Sequence, residues 1–202
     1  MCIIIAISSQ ESMENNVIPQ PKKENFILET IKFIILALII VGPIRLFIAQ
    51  PFIVSGASMD PTFHNGQYLI IDQVSYRLSN PARNDVIVFE PPVARDSFYI
   101  KRIIGLPGET VEIRGSDVYI KNAENPNGFK LEQPYVGNGN QKVDNLTITL
   151  GEDQYFVMGD NRIASSDSRI WGPITKDEIV GKPFLRLFPV SEIGFYPGKS
   201  KN

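Results

Sequence analysis

The sequence predicts a mainly β fold, in which an antiparallel β-sheet domain over residues 51–202 follows a single N-terminal transmembrane helix within residues 26–50. Two observations lead to this prediction. One long apolar segment lies near the N-terminus, and from Phe52 onward short apolar runs alternate with Gly, Pro, Asn and Asp. Such runs are typical of antiparallel strands. The strand–helix alternation that would indicate a parallel sheet is missing from the sequence.

The N-terminal apolar segment is predicted to anchor the protein in a membrane. It is uninterrupted over 33–44, and a helix over 27–48 reaches the ~20 residues that a bilayer requires. Lys32 and Arg45 flank it and are long enough to reach the headgroups. Lysines are more frequent before the segment than after it, so the N-terminus is predicted to be cytoplasmic and the β domain extracytoplasmic. The alternatives are a buried core helix and a cleaved signal peptide; cleavage after Ala49 would place phenylalanine where a small residue is needed.

Residues 1–25 are predicted to form a disordered cytoplasmic tail, since they contain Pro19, Pro21 and many polar side chains. Translation can begin at Met1 or at Met13, and the sequence does not distinguish the two.

Composition argues against several functional classes. The chain has 20 basic and 22 acidic residues, a formal charge of −2, and no cluster of Lys and Arg, so no nucleic-acid partner is expected. The single cysteine, Cys2, excludes an internal disulfide, and one histidine, His64, leaves no ligand set for zinc. We therefore expect neither a metal nor a cofactor.

The predicted strands follow in order along the β domain. Each is a short apolar run bounded by turn-forming residues, and together they are 68–71, 86–89, 98–104, 118–120, 146–150, 155–158 and 184–188. The segment 122–145 is rich in Asn and Gly, and is predicted to be an excursion or smaller subdomain that lies away from the functional site.

Ser58 and Lys101 are the candidate catalytic pair. A serine hydroxyl needs a base, and His64, only six residues after Ser58, leaves little material for a histidine-based triad. Lys101 lies among large apolar residues, where a lysine can lose its proton and serve as that base. The pattern predicts a Ser–Lys hydrolase. Taken singly, Ser58 also fits a turn and Lys101 a strand with its amine in solvent.

A third segment, 157–172, carries two Asp, two Arg, one Asn and three Ser between apolar ends. It fits a solvated loop, but it also supplies the hydrogen bonds that would orient a buried amine.

These segments resemble the ordered boxes of bacterial type I signal peptidases, the leader peptidase family of Ser–Lys serine proteases. The matching stretches are SGASMDPT at 55–62, RNDVIVF at 83–89, YIKRIIGLPGE at 99–109 and VMGDNRIASSDSRIWG at 157–172, and the resemblance covers about 30–198. It implies a signal-peptidase-type β catalytic domain that removes signal peptides from exported precursors through an acyl-enzyme. It also implies cleavage after small residues at −1 and −3.

The resemblance also implies a role for individual residues. Ser58 would be the nucleophile, its N–H an oxyanion donor, and Lys101 the general base. The supporting residues would be Ser165, which hydrogen-bonds the amine, and the ion pairs Arg102 with Asp160 and Asp167 with Arg169. The substrate would add a strand, with one pocket lined by Val54, Met59, Phe63, Tyr99 and Ile100 and a second by Phe52 and Leu69. Its partners would be signal peptides and the lipid bilayer, in the plasma or thylakoid membrane.

Three positions depart from the family pattern. Gly56 stands where some members have a serine that joins the oxyanion hole, so the second oxyanion donor is unassigned. Ile163-Ala164 replaces Asp-Asn, and Asn84 replaces a common glycine, a change expected to affect only turn geometry.

Two other classes are compatible with parts of the pattern. A self-cleaving repressor of the SOS type also uses Ser–Lys chemistry on a β fold, but it would carry a helix-turn-helix in place of the apolar segment. A catalytically inactive, membrane-anchored peptide-binding module would not need both Ser58 and Lys101.

Overall fold

The computed structural model describes residues 26–43, 49–94 and 96–199. Three helices are α1 (Phe26–Pro43), α2 (Ser75–Leu78) and α3 (Ser168–Trp171). Twelve strands are β1 (Ala49–Ile53), β2 (Tyr68–Asp72), β3 (Val86–Phe89), β4 (Tyr99–Gly105), β5 (Thr110–Gly115), β6 (Asp117–Lys121), β7 (Phe129–Lys130), β8 (Asp144–Thr149), β9 (Gln154–Met158), β10 (Ile174–Thr175), β11 (Ile179–Phe188) and β12 (Gly194–Phe195). The predicted mainly β, antiparallel class is confirmed.

Helix α1 contains 18 residues, and its large apolar side chains are exposed. Within the described ranges, none of the helices combines the length and the apolar character that crossing a membrane requires. The predicted single-pass anchor is therefore not confirmed. Residues 44–48 and the predicted tail at 1–25 lie outside the described residues, and β1 begins before the predicted end of the anchor at residue 50.

The strands form two antiparallel sheets. The larger has the order β1-β2-β11-β3-β4-β9-β10, with β12 paired to β11, and the smaller has the order β7-β6-β5-β8. The 10-residue strand β11 lies between β2 and β3 and joins the two halves of the larger sheet. All seven predicted strands are present, with shifts of a few residues at their ends. Strands β1, β5, β7, β10 and β12 were not predicted.

A buried apolar cluster lies beneath the strands that carry the predicted catalytic pair. Its members come from the segment after β1 and from β2 and β3, and they are Val54, Met59, Phe63, Leu69, Ile71, Val86 and Val88. A second cluster packs the inward residues of β5 and β6 in the smaller sheet against Ile104, Phe156 and Met158 of the larger sheet. The apolar alternation along these strands explains why their inward residues are buried.

The prediction that segment 122–145 lies away from the functional site is wrong. Tyr135 is buried, and its ring lies 4.0 Å from the guanidinium carbon of Arg102, the residue after Lys101. Asn140 Nδ2 donates to the Asp60 carbonyl at 3.2 Å, two residues after Ser58. A buried aromatic ring desolvates a neighbouring guanidinium and stacks on it, so this segment is part of the wall behind the site.

Candidate active site

The fold brings Ser58 and Lys101 into direct contact. Ser58 lies in the turn that follows β1, and Lys101 lies in β4, paired with Ile87 of β3. Lys101 Nζ donates to Ser58 Oγ at 2.8 Å and to the Ile100 carbonyl at 2.9 Å. A hydroxyl and an amine at this distance have the geometry required for direct proton transfer.

Burial alters the protonation of Lys101. The side chain is 4% exposed, and desolvation lowers its pKa from the usual 10.5 to about 8, although the charges of Asp167 and Asp160 act in the opposite direction. The shift corresponds to about 3 kcal/mol against the ammonium form. Because the folded-state pKa is lowered, this cost to stability is greatest below pH 8 and declines as the pH rises. With a pKa of about 8, about one tenth of the Lys101 amine is neutral at pH 7, and the neutral fraction rises with pH.

Segment 157–172 holds the turn that carries Ser58. Asn161 donates through its backbone N to the Ser58 carbonyl at 3.1 Å and through Nδ2 to the Ala57 carbonyl at 3.1 Å. Residue 159 must be glycine for this approach, because a Cβ there would clash with Ser58 O and with Ser165 Oγ. His64 is an exposed turn residue, as expected, and its Nδ1 lies 2.5 Å from Asp60 Oδ1.

The predicted Arg102–Asp160 ion pair is present and fully buried. Arg102 Nε and Nη2 donate to the two carboxylate oxygens of Asp160 at 2.8 and 2.6 Å, a bidentate arrangement. Arg102 Nη1 donates to the carbonyls of Asn84 and Gly198, both at 2.8 Å. The pair therefore connects β4, segment 157–172 and the C-terminal residues immediately behind Lys101.

Asn84 does more than shape a turn. Its φ of 69° is the left-handed conformation that asparagine tolerates better than most residues. Its carbonyl accepts from Arg102 and its Oδ1 accepts from the Tyr135 hydroxyl at 3.1 Å. The expectation that this position matters only to turn geometry is corrected by these two contacts.

The predicted Asp167–Arg169 ion pair is also present. Arg169 Nε and Nη2 donate to Asp167 at 2.8 and 2.9 Å, and the Gly159 N–H donates to the same carboxylate at 3.0 Å. Burial opposes the charge of Asp167, but the hydrogen bonds and charge of Arg169 outweigh it and lower the pKa of Asp167. Asp167 is thus a fixed negative charge that positions Gly159 next to Ser58.

Ser165 does not make the implied hydrogen bond to the Lys101 amine. Its Oγ is buried and does not reach the amine; it lies on the side of Asp167, where it contributes to lowering the pKa of that carboxyl. The amine instead uses the carbonyl of Ile100 and the hydroxyl of Ser58. Ser165 lies against Gly159, so its placement near the site is as expected while its contact is different.

A cavity of about 400 Å³ opens next to Ser58 and Lys101. Five of the seven predicted substrate-binding residues line it, namely Phe52, Val54, Leu69, Tyr99 and Ile100. Met59 and Phe63 do not line the cavity. They are 1% and 0% exposed and pack into the apolar cluster below, because the turn after Ser58 directs their side chains into the core.

Sequence reasoning missed other residues around the site. Ser97, Phe98 and Ser166 also line the cavity, and the Phe98 ring meets Phe52 edge-to-face at 5.1 Å between centroids. Phe98 precedes Tyr99 in an apolar run, and this adjacency was the available signal. Tyr135 and Arg102 are 33 residues apart in the chain, and the sequence contains no signal for their contact.

Gly56 supplies neither a hydroxyl nor a free N–H to an oxyanion. Its backbone N donates to Asn65 Oδ1 at 2.9 Å, and its φ of 94° favours glycine. Among the described residues, no cluster of three or more His, Cys, Asp or Glu is arranged to hold a metal ion.

Gly198 is expected to be a stability determinant of the site. Its φ is 84°, and a Cβ there would lie 2.7 Å from the Phe63 ring, while its carbonyl accepts from Arg102. We expect Gly198→Ala to lower the free energy of unfolding by about 1–3 kcal/mol. Gly139 is the matched control, since its φ is 89° and nothing lies within 4 Å of its Cβ position. Equal losses of Tm in the two variants would contradict the packing argument.

A family model and two relatives point to the same protein family for this chain. The family model described as "Signal peptidase, peptidase S26" matches residues 27–188. A probable signal peptidase I-2 of Synechocystis is 35% identical over 194 residues, which cover 90% of this chain and 85% of that protein. Signal peptidase I T of Bacillus subtilis is 34% identical over 195 residues, covering 92% and 97%. A crystal structure of a signal peptidase I from Enterococcus faecalis is 34% identical and covers 52% of this chain and 97% of its own, with a TM-score of 0.44.

Proposed function

The chain belongs to the signal peptidase family, peptidase S26, and from this premise we propose that it removes signal peptides from exported precursors by Ser–Lys catalysis. The observation that most strongly supports this mechanism is the 2.8 Å contact between Ser58 Oγ and a buried Lys101 amine whose pKa is lowered to about 8. A peptidase of this family needs an activated nucleophile, and this pair supplies both the nucleophile and the base.

In the proposed acylation step, neutral Lys101 accepts the hydroxyl proton of Ser58 as Oγ attacks the scissile carbonyl. The Ser58 backbone N–H donates to the developing oxyanion. The lysine then gives its proton to the leaving amine of the mature protein, which departs as the acyl-enzyme forms.

In the proposed deacylation step, Lys101 is again neutral and takes a proton from water. Hydroxide attacks the ester carbonyl, and Ser58 regains its proton as the signal peptide leaves with a free carboxylate. The two ion pairs, Arg102 with Asp160 and Asp167 with Arg169, hold β4 and segment 157–172 in position during both steps. They contact the residues next to the pair rather than the reacting atoms, so we assign them a positioning role.

The substrate is proposed to bind as an added strand along β4. Strand β9 pairs with β4 from Arg102 onward, and the described pairings leave Tyr99–Lys101 without a partner on that side. Main-chain groups there are available to an extended peptide, and alternate side chains of that peptide would point into the cavity. Phe52 and Phe98, whose rings meet edge-to-face, both line the cavity and form a bulky wall. This restriction supports the proposed preference for small residues at −1 and −3 by steric exclusion.

The experiment that tests this function is cleavage of a purified precursor by the detergent-solubilised protein as a function of pH. Only the neutral amine of Lys101 is active, so kcat/KM should rise about tenfold per pH unit below the pKa of about 8 and level off above it. A precursor with leucine in place of alanine at −1 is the matched substrate control and should resist cleavage. A kcat/KM that does not change between pH 6 and 9 would show that Lys101 is not the base.

We further propose that α1 attaches the protein to a membrane, either the plasma membrane or a thylakoid membrane, with the β domain on the extracytoplasmic side. The large apolar side chains of α1 are exposed, among them Phe33 at 71% and Leu38 at 67%. Side chains of this kind are stable in lipid and costly in water. The lysine bias before the helix supports this orientation.

Protease added to sealed right-side-out vesicles should digest the β domain and spare the tail. A protected β domain combined with a digested tail would reverse the orientation, and release of intact protein by alkaline washing would refute insertion.

A further inference from the structure

Arg162 carries a buried charge that makes no direct ion pair within the described part of the chain. Its side chain is 4% exposed, and its Nε donates to the Gly159 carbonyl at 3.0 Å. Its Nη2 is buried without a hydrogen-bond partner in the described part of the chain. Arg102 and Arg169 each have a buried carboxylate within hydrogen-bond distance, whereas none of the ion pairs found there includes Arg162. A buried guanidinium without a counter-charge is strongly unfavourable.

The carboxylates closest to this region are already engaged. Asp160 holds Arg102 through both oxygens, and Asp167 and Asp144 both hold Arg169. Burial lowers the pKa of the Arg162 guanidinium and the like charge of Arg169 acts in the same direction, while Tyr135, Asp160 and Asp167 act in the opposite direction. Arginine stays protonated even so, and no carboxylate of the described residues lies within hydrogen-bond distance of this guanidinium.

Arg162 forms part of the wall of a cavity of about 160 Å³ beside β6 and β7. Gln133 also lines this cavity, and its Oε1 is buried without a partner among the described residues. Rotation of the terminal amide by 180° exchanges oxygen for NH₂ and turns Gln133 into a second donor. Lys130, at the same cavity, is held by Asp117 at 3.0 Å, and Glu132 completes the charged part of the wall.

We propose that this cavity binds a small monovalent anion, such as chloride, which accepts hydrogen bonds from Arg162 Nη2 and from the amide of Gln133. A water molecule would satisfy the donors but would not compensate the charge. Asp117 and Glu132 disfavour a multivalent anion such as phosphate or sulfate, because like charges at this range repel. The volume admits a single ion with its remaining hydration.

The proposed anion would act on the turn that supports the nucleophile. Arg162 holds the Gly159 carbonyl, and Arg169 Nη2 donates to the Arg162 carbonyl at 2.8 Å. Gly159 packs directly against the carbonyl of Ser58. An anion that neutralises Arg162 therefore stabilises residues 159–162 behind the site without touching the reacting atoms. The inference does not depend on the proposed function, and its main test does not measure catalysis.

The test compares the Tm of the full-length, detergent-solubilised protein in sodium chloride and in sodium gluconate at equal ionic strength. Chloride should raise Tm by roughly 2–5 °C, as expected for a ligand that binds only the folded state. Arg162→Met should lose this difference. Arg114→Met is the matched control, since Arg114 is exposed on β5, and it should keep the difference. Equal Tm values in the two salts, a preserved difference in Arg162→Met, or a larger rise with sulfate than with chloride would overturn the proposal.

A second measurement covers the case in which Arg162→Met does not fold. Crystals of the unchanged protein grown with sodium bromide should show an anomalous scattering peak in the cavity, within hydrogen-bond distance of Arg162 Nη2. Gln133→Leu should weaken that peak and reduce the Tm difference between the salts. An empty cavity at saturating bromide, or a peak elsewhere with none at Arg162, would overturn the proposal.

Discussion

Replacing Lys101 with arginine should reduce precursor cleavage to the level of an enzyme-free control. The side chain keeps its charge and roughly its length, but guanidinium has a pKa above 12 and does not take a proton from serine at any pH that the fold tolerates. Loss of the base in a serine hydrolase costs on the order of 10³–10⁶ in kcat. The larger planar group also has to fit where the amine is 4% exposed and contacts Ser58. Turnover of a defined precursor measures the effect, and circular dichroism establishes that the variant is folded.

Lys121→Arg is the control for this substitution. Lys121 is 38% exposed and pairs with Glu112 on the smaller sheet, so the same chemical change there should leave both activity and Tm within error. Substantial cleavage by a folded Lys101→Arg enzyme would show that the lysine is not the base. Raising the pH should not rescue Lys101→Arg, whereas it activates the unchanged protein.

Ser58→Ala should abolish cleavage and leave the fold intact. The hydroxyl contributes one contact, with Lys101 Nζ at 2.8 Å. The turn itself is held by the backbone N–H and side-chain amide of Asn161 and by Thr62 Oγ1, which donates to Asp160 at 2.5 Å. We expect Tm to change little, because removing one partly exposed hydroxyl is usually a small effect. Without the nucleophile no acyl-enzyme forms, so even a slow covalent adduct with the precursor should be absent by mass spectrometry.

Two further variants sharpen this prediction. Ser58→Cys should retain part of the activity, since a thiol needs less help from a base. Ser116→Ala removes an exposed hydroxyl at a turn far along the chain and should be indistinguishable from the unchanged protein. Normal turnover by Ser58→Ala would refute the nucleophile assignment. An Ser58→Ala protein that still binds the precursor is expected, because the cavity remains.

The sequence by itself determined the fold class and the positions of most strands. Short apolar runs bounded by Gly, Pro and Asn, such as those that form β2 and β3, are local signals. They predict strands reliably because the inward residues of a strand must be buried whichever strand it pairs with. Strand β1 was missed because it follows the apolar segment directly and contains Pro51, which argues against a strand except at an edge. Strand β5 was missed because charged residues interrupt its short apolar pattern.

For the candidate site too, the sequence predicted some features and only the structure showed the others. Ser58 and Lys101 were identified as candidates from residue chemistry and from the family resemblance, and the resemblance also implied the Arg102–Asp160 ion pair, whose bidentate geometry came from the structure. Their distances and the lowered pKa of Lys101 depend on contacts across 43 residues and on burial, neither of which a linear pattern specifies. For the same reason the sequence did not show that Met59 and Phe63 pack into the core and do not line the cavity.

The remaining differences concern contacts between segments that are distant in the chain. Tyr135 stacks on Arg102, the Gly198 carbonyl accepts from Arg102, and Ser165 lies beside the site without reaching the amine. Each of these contacts depends on how two or more elements are placed relative to one another. That placement results from packing of the whole core, and the residues adjacent in sequence do not specify it. Local sequence therefore predicted the candidate catalytic residues and most of the strands, while close packing decided what surrounds each one.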